Sequence, residues 1–201
     1  VPKDQSKKYP VLLNRTCYNA SGYSDFKTNG QPSDYLVKDN YILVYQDVRG
    51  RYMSEGTFDN MRPNIQGNDP KNKTDIDESS DTWDTIDWLI KNLPYNNGNV
   101  GVYGISYPGF YSTMAALSGH PALKAVSPQA PVTEWFIGDD FHHNGALMLM
   151  DGFNFYTQFG VPRPKPVKAY TGGYKANYTD NYDFYLKTGA RGDARIAAAS
   201  S

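Results

Sequence analysis

The sequence is short of several things, and each shortage excludes a class of protein. It has a single cysteine, Cys17, which rules out an internal disulfide and a cysteine-based zinc cluster and leaves the redox compartment open. It has no excess of charge of either sign, with 20 Lys and Arg against 21 Asp and Glu and a formal net charge of −1. No segment is a block of like charge, so the electrostatic footprint of a nucleic-acid binder, or of a protein held on an anionic membrane surface, is missing. A small-molecule or short-peptide partner fits that balance better. There is no long apolar run, so no segment is expected to span a bilayer. The opening Val1-Pro2-Lys3-Asp4 has neither the charged nor the apolar region of a leader, as expected of a mature or cut chain. Nor is there an internal repeat. Aromatic side chains, by contrast, are plentiful, with 17 Tyr; core packing accounts for most of them and pocket lining for the rest.

In a chain of 201 residues one compact core is the default, and the hydrophobic pattern says of what kind. "YPVLLNRT" (Tyr9 to Thr16) and "YILVYQDV" (Tyr41 to Val48) are short and apolar without polar alternation, as expected of strands covered on both faces. Between them "QPSDYLVKD" suits a short helix. "SSDTWDTIDWLIKNLP" places Trp83, Ile86, Leu89, Ile90 and Leu93 at helical spacing, with Ser79, Ser80 or Asp81 as N-cap and Pro94 as the stop. "NVGVYGIS" then reads as a strand, "PGFYSTMAALSG" as a helix and "LKAVSPQAP" (Leu123 to Pro131) as another buried strand. This alternation predicts an α/β fold, a parallel sheet flanked by helices. From Val132 the rhythm changes, and "TEWFIGDDFHHNGALMLMDGFNFY" reads as helix with loops in an insertion over the sheet. The expected division is therefore a partial α/β core over 1–131, the start of a helical insertion over 132–188, and a disordered tail or cloning scar over 189–201.

Ser106 stands where a buried strand gives way to a small-residue helix. A nucleophilic serine needs a tight strand-to-helix turn with glycines around it, so that the next backbone N–H and the helix N-terminus face the developing oxyanion. Gly104 is in place two residues before it. The second glycine is displaced by one, because Pro108 precedes Gly109, and on pattern alone the signal is weak. Other residues carry weaker signals still. Tyr18, taken by spacing, reads as a strand-end tyrosine packed in the core. Asp139 and Asp140 lie between Trp135, Phe136 and Ile137 on one side and Phe141 on the other, a setting in which a carboxylate needs a cation or donors; on the residues alone Asp139 caps the following helix. Trp83 and Trp88 are expected in the core and His120 exposed on a loop. In "DVRGRYMSEG" the residues Asp47, Arg49, Ser54 and Glu55 could line a site, although ion pairing that fixes a long loop is the preferred reading. Asn14, Asn19, Asn72 and Asn177 open glycosylation sequons, with no glycan expected on Asn14 or Asn19.

Three segments together resemble one family. "GISYPG" is similar to the Gly-x-Ser-Tyr-x-Gly motif of the X-prolyl dipeptidyl-peptidase and cocaine-esterase family of α/β-hydrolases, "QDVRGRYMSEGTF" (Gln46 to Phe58) to its second signature, and "NRTCY" (Asn14 to Tyr18) to its Arg-x-x-Tyr strand end. The segment "GDDFHHNGA" brings the likeness nearest to the α-amino-acid ester hydrolases and the related glutaryl-cephalosporin acylases. The resemblance implies a partial α/β-hydrolase fold beginning just before its third strand. It also implies roles. Ser106 would form an acyl-enzyme from an α-amino acyl ester or a β-lactam amide, with the Tyr107 backbone N–H and the Tyr18 hydroxyl as oxyanion donors. Asp140, with Asp139 beside it, would bind the substrate's amino group. No metal or organic cofactor is implied; a homo-oligomer and a periplasmic or secreted location are family expectations.

A serine hydrolase of this kind needs a histidine base and an acid after the serine. The chain's histidines are His120, His142 and His143, and the last two fall in what should be the first helix of the insertion. The triad His and Asp are thus expected outside this chain, which taken alone would be inactive. Sister activities (an acylase preferring a dicarboxylic side chain, an X-Pro dipeptidyl-peptidase, an aryl esterase) and a non-catalytic binding domain are the competing readings.

Overall fold

A computed structural model describes residues 2–23, 34–65, 67, 69, 74–134, 137–138, 140–148, 155, 159, 163–171 and 179–188. The chain divides into two compact units, Val1–Thr133 and Glu134–Ser201. In the first, strands β1 (Tyr9–Thr16), β2 (Ile42–Asp47), β3 (Asn96–Ile105) and β4 (Leu123–Gln129) form a sheet in the order β2-β1-β3-β4. All three pairings are parallel. Helix α1 (Asp34–Lys38) lies between β1 and β2, α2 (Glu78–Asn92) between β2 and β3, and α3 (Tyr107–Ser118) between β3 and β4. Among the described residues no helix is long and apolar enough to cross a membrane.

Parallel strands must be joined by crossovers, and burying both the sheet and one stripe of each helix makes the core. Val11, Leu13, Ile42, Val100 and Val102 from the strands meet Ile86 and Leu89 of α2 and Ala115 of α3, all buried. Each large aliphatic side chain so removed from water contributes about 1.5–3 kcal/mol. Helix α2 starts at Asp77, whose carboxylate accepts the Ser80 N–H at 2.7 Å while the Ser80 hydroxyl accepts the Asp77 N–H at 3.0 Å. The same carboxylate accepts from the Ile65 N–H at 3.1 Å and from Asn64 Nδ2 at 3.3 Å, so the cap also pins the preceding loop.

A buried arginine joins four elements at the carboxyl end of the sheet. Arg15 of β1 donates through Nε to Gln46 of β2 and through its terminal nitrogen to the Glu78 carbonyl and the Thr82 hydroxyl of α2. It pairs with the Glu78 carboxylate at 3.1 Å and lies over the Tyr111 ring of α3 at 5.7 Å. Burial raises the Glu78 carboxyl above its ordinary value, and the Arg15 charge opposes that rise.

The chain order creates a crevice. β1 leads to β2 on one side of the sheet, whereas β3 leads to β4 on the other, so the carboxyl ends of β1 and β3 flank a topological switch point, where open α/β sheets place ligands.

Several expectations change. The N-cap of α2 is Asp77, with Ser80 as its capping-box partner, so the helix begins ahead of Ser79. Trp88 is 59% exposed, because the buried stripe of α2 runs through Thr82, Ile86 and Leu89 and Trp88 lies off that face. His120 is buried rather than exposed: its ring packs on Trp83 at 4.4 Å and its Nδ1 accepts the Ala122 N–H. β4 is largely exposed, ending the described sheet. In the second unit His142 and His143 form strand β5 (His142–His143), paired antiparallel with β6 (Ala146–Leu147), where a helix was expected. Asn144 and Gly145 between them both have positive φ, 49° and 85°, the backbone a two-residue hairpin turn demands. The described part of this unit also contains α4 (Asn181–Thr188); the expected tail at 189–201 lies outside the described residues, as do Asn72 and Asn177.

Two stability outcomes follow from these contacts. Asp77→Ala removes the cap and leaves the buried Ser80 N–H and the Ile65 N–H without their acceptor, and chemical denaturation should show a loss of about 2 kcal/mol. Glu78 has a folded pKa above its unfolded one, so its contribution is complete below the usual glutamate range and is lost as pH rises through the raised value. Unfolding measured against pH should therefore find Glu78→Gln gaining on the wild type as pH rises above the ordinary glutamate range.

Candidate active site

β3 and α3 meet in a turn with almost no space in it. Ser106 has φ 63° and ψ −121°, a conformation that costs a non-glycine residue free energy and persists only where its surroundings impose it. They do so from several directions. The Ser106 N–H donates to the Gln129 carbonyl of β4 at 2.9 Å, and its own carbonyl accepts the Phe110 N–H, beginning α3. A Cβ on Gly104 would overlap the Pro108 backbone, and one on Gly109 would overlap the Gln129 carbonyl. The displaced second glycine is therefore where contact requires it: Gly104 admits the first turn of the helix, and Gly109 lets the helix approach the end of β4.

Ser106 is exposed, whereas Tyr107, Pro108 and Gly109 are buried. The turn thus presents the serine to solvent and roots the residues after it in the core. Tyr107 is the first residue of α3, so its backbone N–H sits at the positive end of the helix dipole. Its side chain runs inward, donating from the hydroxyl to Asn60 Oδ1 at 2.9 Å and accepting the Met61 N–H at 2.7 Å. Burial pushes that hydroxyl well above the usual tyrosine range, so it stays a neutral donor.

Tyr18 follows β1 across the switch point. The β1–β3 pairing is parallel and ends with Leu13 beside Val102, so the segment after β1 and the turn after β3 leave the sheet at the same end. Tyr18 is 39% exposed rather than packed in the core, and its ring meets the Tyr107 ring edge-on at 6.1 Å. The structure therefore brings Ser106, Tyr107 and Tyr18 to one end of the sheet. Asp140 is exposed in the second unit, and Asp139 lies outside the described residues.

The loop after β2 is structural in its contacts. Arg49 pairs with Asp81 of α2, the Asp47 carboxylate accepts the Ala20 N–H at 2.7 Å, and the Ser54 hydroxyl donates to the Asp47 carbonyl at 2.6 Å. The Glu55 carbonyl accepts the Gly50 N–H. Asn14 is buried, with its amide donating to the Tyr103 carbonyl at 3.0 Å, which leaves no room for a glycan. Sequence reasoning did not single out Arg51, Thr16 or Asn60, which turn out to hold the tyrosines; only the burial of Arg51, invisible in a sequence, could have marked it. Within the first unit His120 follows the far end of α3, about 18 Å along the helix from Ser106, and His142 and His143 belong to the second unit. Among the described residues no group of three or more His, Cys, Asp or Glu could hold a metal ion.

Known proteins resemble this chain in sequence and fold. The chain is 32% identical over 148 residues to a cocaine esterase from Rhodococcus sp. (strain MB1 Bresler), an alignment covering 73% of this chain and 23% of that protein. An aminopeptidase from a marine-sediment Thaumarchaeota archaeon superposes with a TM-score of 0.77 at 37% identity, over 100% of this chain and 32% of that one. A selenomethionine-labelled α-amino acid ester hydrolase does so with a TM-score of 0.76 at 36% identity, again over 100% and 32%. The chain thus spans about a third or less of the length of these relatives, which are hydrolases. Its parallel sheet and flanking helices are part of an α/β-hydrolase fold. The model of the X-Pro dipeptidyl-peptidase (S15) family matches residues 1–193, and the chain belongs to that family.

Proposed function

We propose that this chain is the nucleophile-bearing part of a serine hydrolase that cleaves α-amino acyl esters, or transfers their acyl group, through an acyl-enzyme on Ser106. The observation that carries the reading is the strained, exposed serine between β3 and α3 at the switch point, with the Tyr18 ring against that of the next residue, Tyr107. Ser106 Oγ attacks the carbonyl carbon, its proton passes to a histidine proposed to lie outside this chain, and that histidine returns the proton to the leaving group, which departs as an alcohol or amine; water then repeats the attack on the acyl-serine and releases the acid. The Tyr107 N–H and the Tyr18 hydroxyl donate to the oxyanion. Donors of this kind are each worth about 10²–10³ in kcat.

The substrate class rests on less. Two structural relatives are by name an aminopeptidase and an α-amino acid ester hydrolase, and a free α-amino group is the chemistry those names share. Asp140, with Asp139, supplies the carboxylates proposed to meet that ammonium. The second unit is read as the start of a cap insertion that carries them. The cocaine esterase likeness keeps an aryl-ester substrate as the second reading.

Two experiments on the full-length protein test this. Ser106→Ala should lower the rate on phenylglycine methyl ester by about 10⁴–10⁶ and abolish labelling by a fluorophosphonate; a labelled, active Ser106→Ala protein would remove the nucleophile assignment. Asp140→Asn should raise KM for phenylglycine methyl ester at least about tenfold and leave the des-amino ester phenylacetic acid methyl ester unchanged. An equal effect on both esters speaks for the aryl-ester reading.

A further inference from the structure

The active-site tyrosine is exposed, yet the backbone that carries it is strapped down on all sides, and we propose that Arg51 and Thr16 are positioning residues that set the aim of the Tyr18 hydroxyl by clamping the Cys17–Tyr18 peptide bond. The inference rests on the reading of Tyr18 as an oxyanion donor.

Both polar ends of that peptide group are held. Its carbonyl, on Cys17, accepts from Arg51 Nε at 3.1 Å, and its N–H, on Tyr18, donates to Thr16 Oγ1 at 3.0 Å. A peptide group is planar, so bonds to opposite edges fix its rotation and with it the position of the Tyr18 Cα, and the bond of the Ala20 N–H two residues on limits how far the side chain can turn about that point. The flanks are tied to the same loop. The Val48 N–H donates to the Thr16 carbonyl at 3.0 Å, and the Ala20 N–H to the Asp47 carboxylate at 2.7 Å. Cys17 is fully buried, so the segment cannot roll outward without exposing it.

Arg51 is itself placed with little freedom. It is 2% exposed, and its guanidinium lies over the rings of Tyr52 at 5.2 Å and Phe58 at 5.0 Å. Its N–H donates to the Val48 carbonyl and its carbonyl accepts the Ser54 N–H, closing a tight turn after β2. A buried guanidinium is costly to keep, and replacing one by an apolar side chain is often neutral for stability. A role in aiming the phenol gives it a reason to be there. That aim matters because an oxyanion donor must lie within about 2.7–3.1 Å of the developing charge, and a displacement of about 1 Å can cost about 10²-fold.

The test is a double-mutant cycle on the full-length protein with phenylglycine methyl ester, reading kcat and KM separately. Arg51→Met and Thr16→Val should each lower kcat about tenfold or more with KM changed by less than about twofold, and in a Tyr18→Phe background each should cost less than about twofold. Equal losses in the two backgrounds, or no loss of kcat in the wild-type background, would overturn the clamp. Thr16→Val changes one polar atom at nearly constant volume and decides the matter should Arg51→Met fail to fold by circular dichroism. If Tyr18→Phe alone costs nothing, the reading of Tyr18 falls and the clamp with it; if Ser106→Ala and Tyr18→Phe both cost activity but the cycle is additive, only the clamp falls.

Discussion

The close approach of α3 to the carboxyl ends of β3 and β4 is the constraint on which the rest of this structure depends. Without side chains at Gly104 and Gly109, the helix can begin directly at the strand's end, and Ser106 between them takes a positive φ, 63° with ψ −121°. Ser106 takes that conformation because the Gln129 carbonyl and the first turn of α3 hold it from both sides. The cost in local strain is spread over a core in which β3 is one of the two inner strands and α3 is buried along most of its first two turns. Strain of this kind survives when many contacts must break together for it to relax.

A second constraint is electrostatic. The sheet's carboxyl end carries Arg15 and Arg51, both nearly inaccessible to solvent, in a region where an unmatched charge would be expensive. Arg15 is matched by Glu78 and several neutral acceptors, and in being matched it binds β1, β2, α2 and α3 together. Arg51 is matched by aromatic faces and a backbone carbonyl. The two arginines do different work on the same strand end. One anchors the helices behind the sheet, and the other holds the segment in front of it.

Tyr107 connects these two halves. Its backbone opens α3, its ring supports Tyr18, and its hydroxyl ties Asn60 and Met61 of the long loop to the turn. A hydrolytic site must keep its donors fixed while charge moves from the nucleophile to the carbonyl oxygen, because reorganisation at that moment would consume the stabilisation. Here one buried aromatic side chain links the two proposed donors and the loop behind them.

The strands, the main helices and the nucleophile candidate were legible in the sequence because each rests on local chemistry: apolar runs for β1 and β3, a 3.6-residue stripe for α2, and a glycine before and after Ser106. The family, too, was legible in three short motifs. Tertiary structure decided what depends on distant neighbours. Trp88 is a helix tryptophan that faces water because the stripe lies elsewhere, and His120 is a loop histidine that is buried because Trp83 lies against it. The Asn144-Gly145 hairpin, by contrast, is a local feature that the helix reading of this segment passed over. Above all, no periodicity could bring the Tyr18 ring against that of Tyr107, residues separated by most of the first unit; that contact arises from the parallel pairing of β1 with β3, which chain folding alone creates.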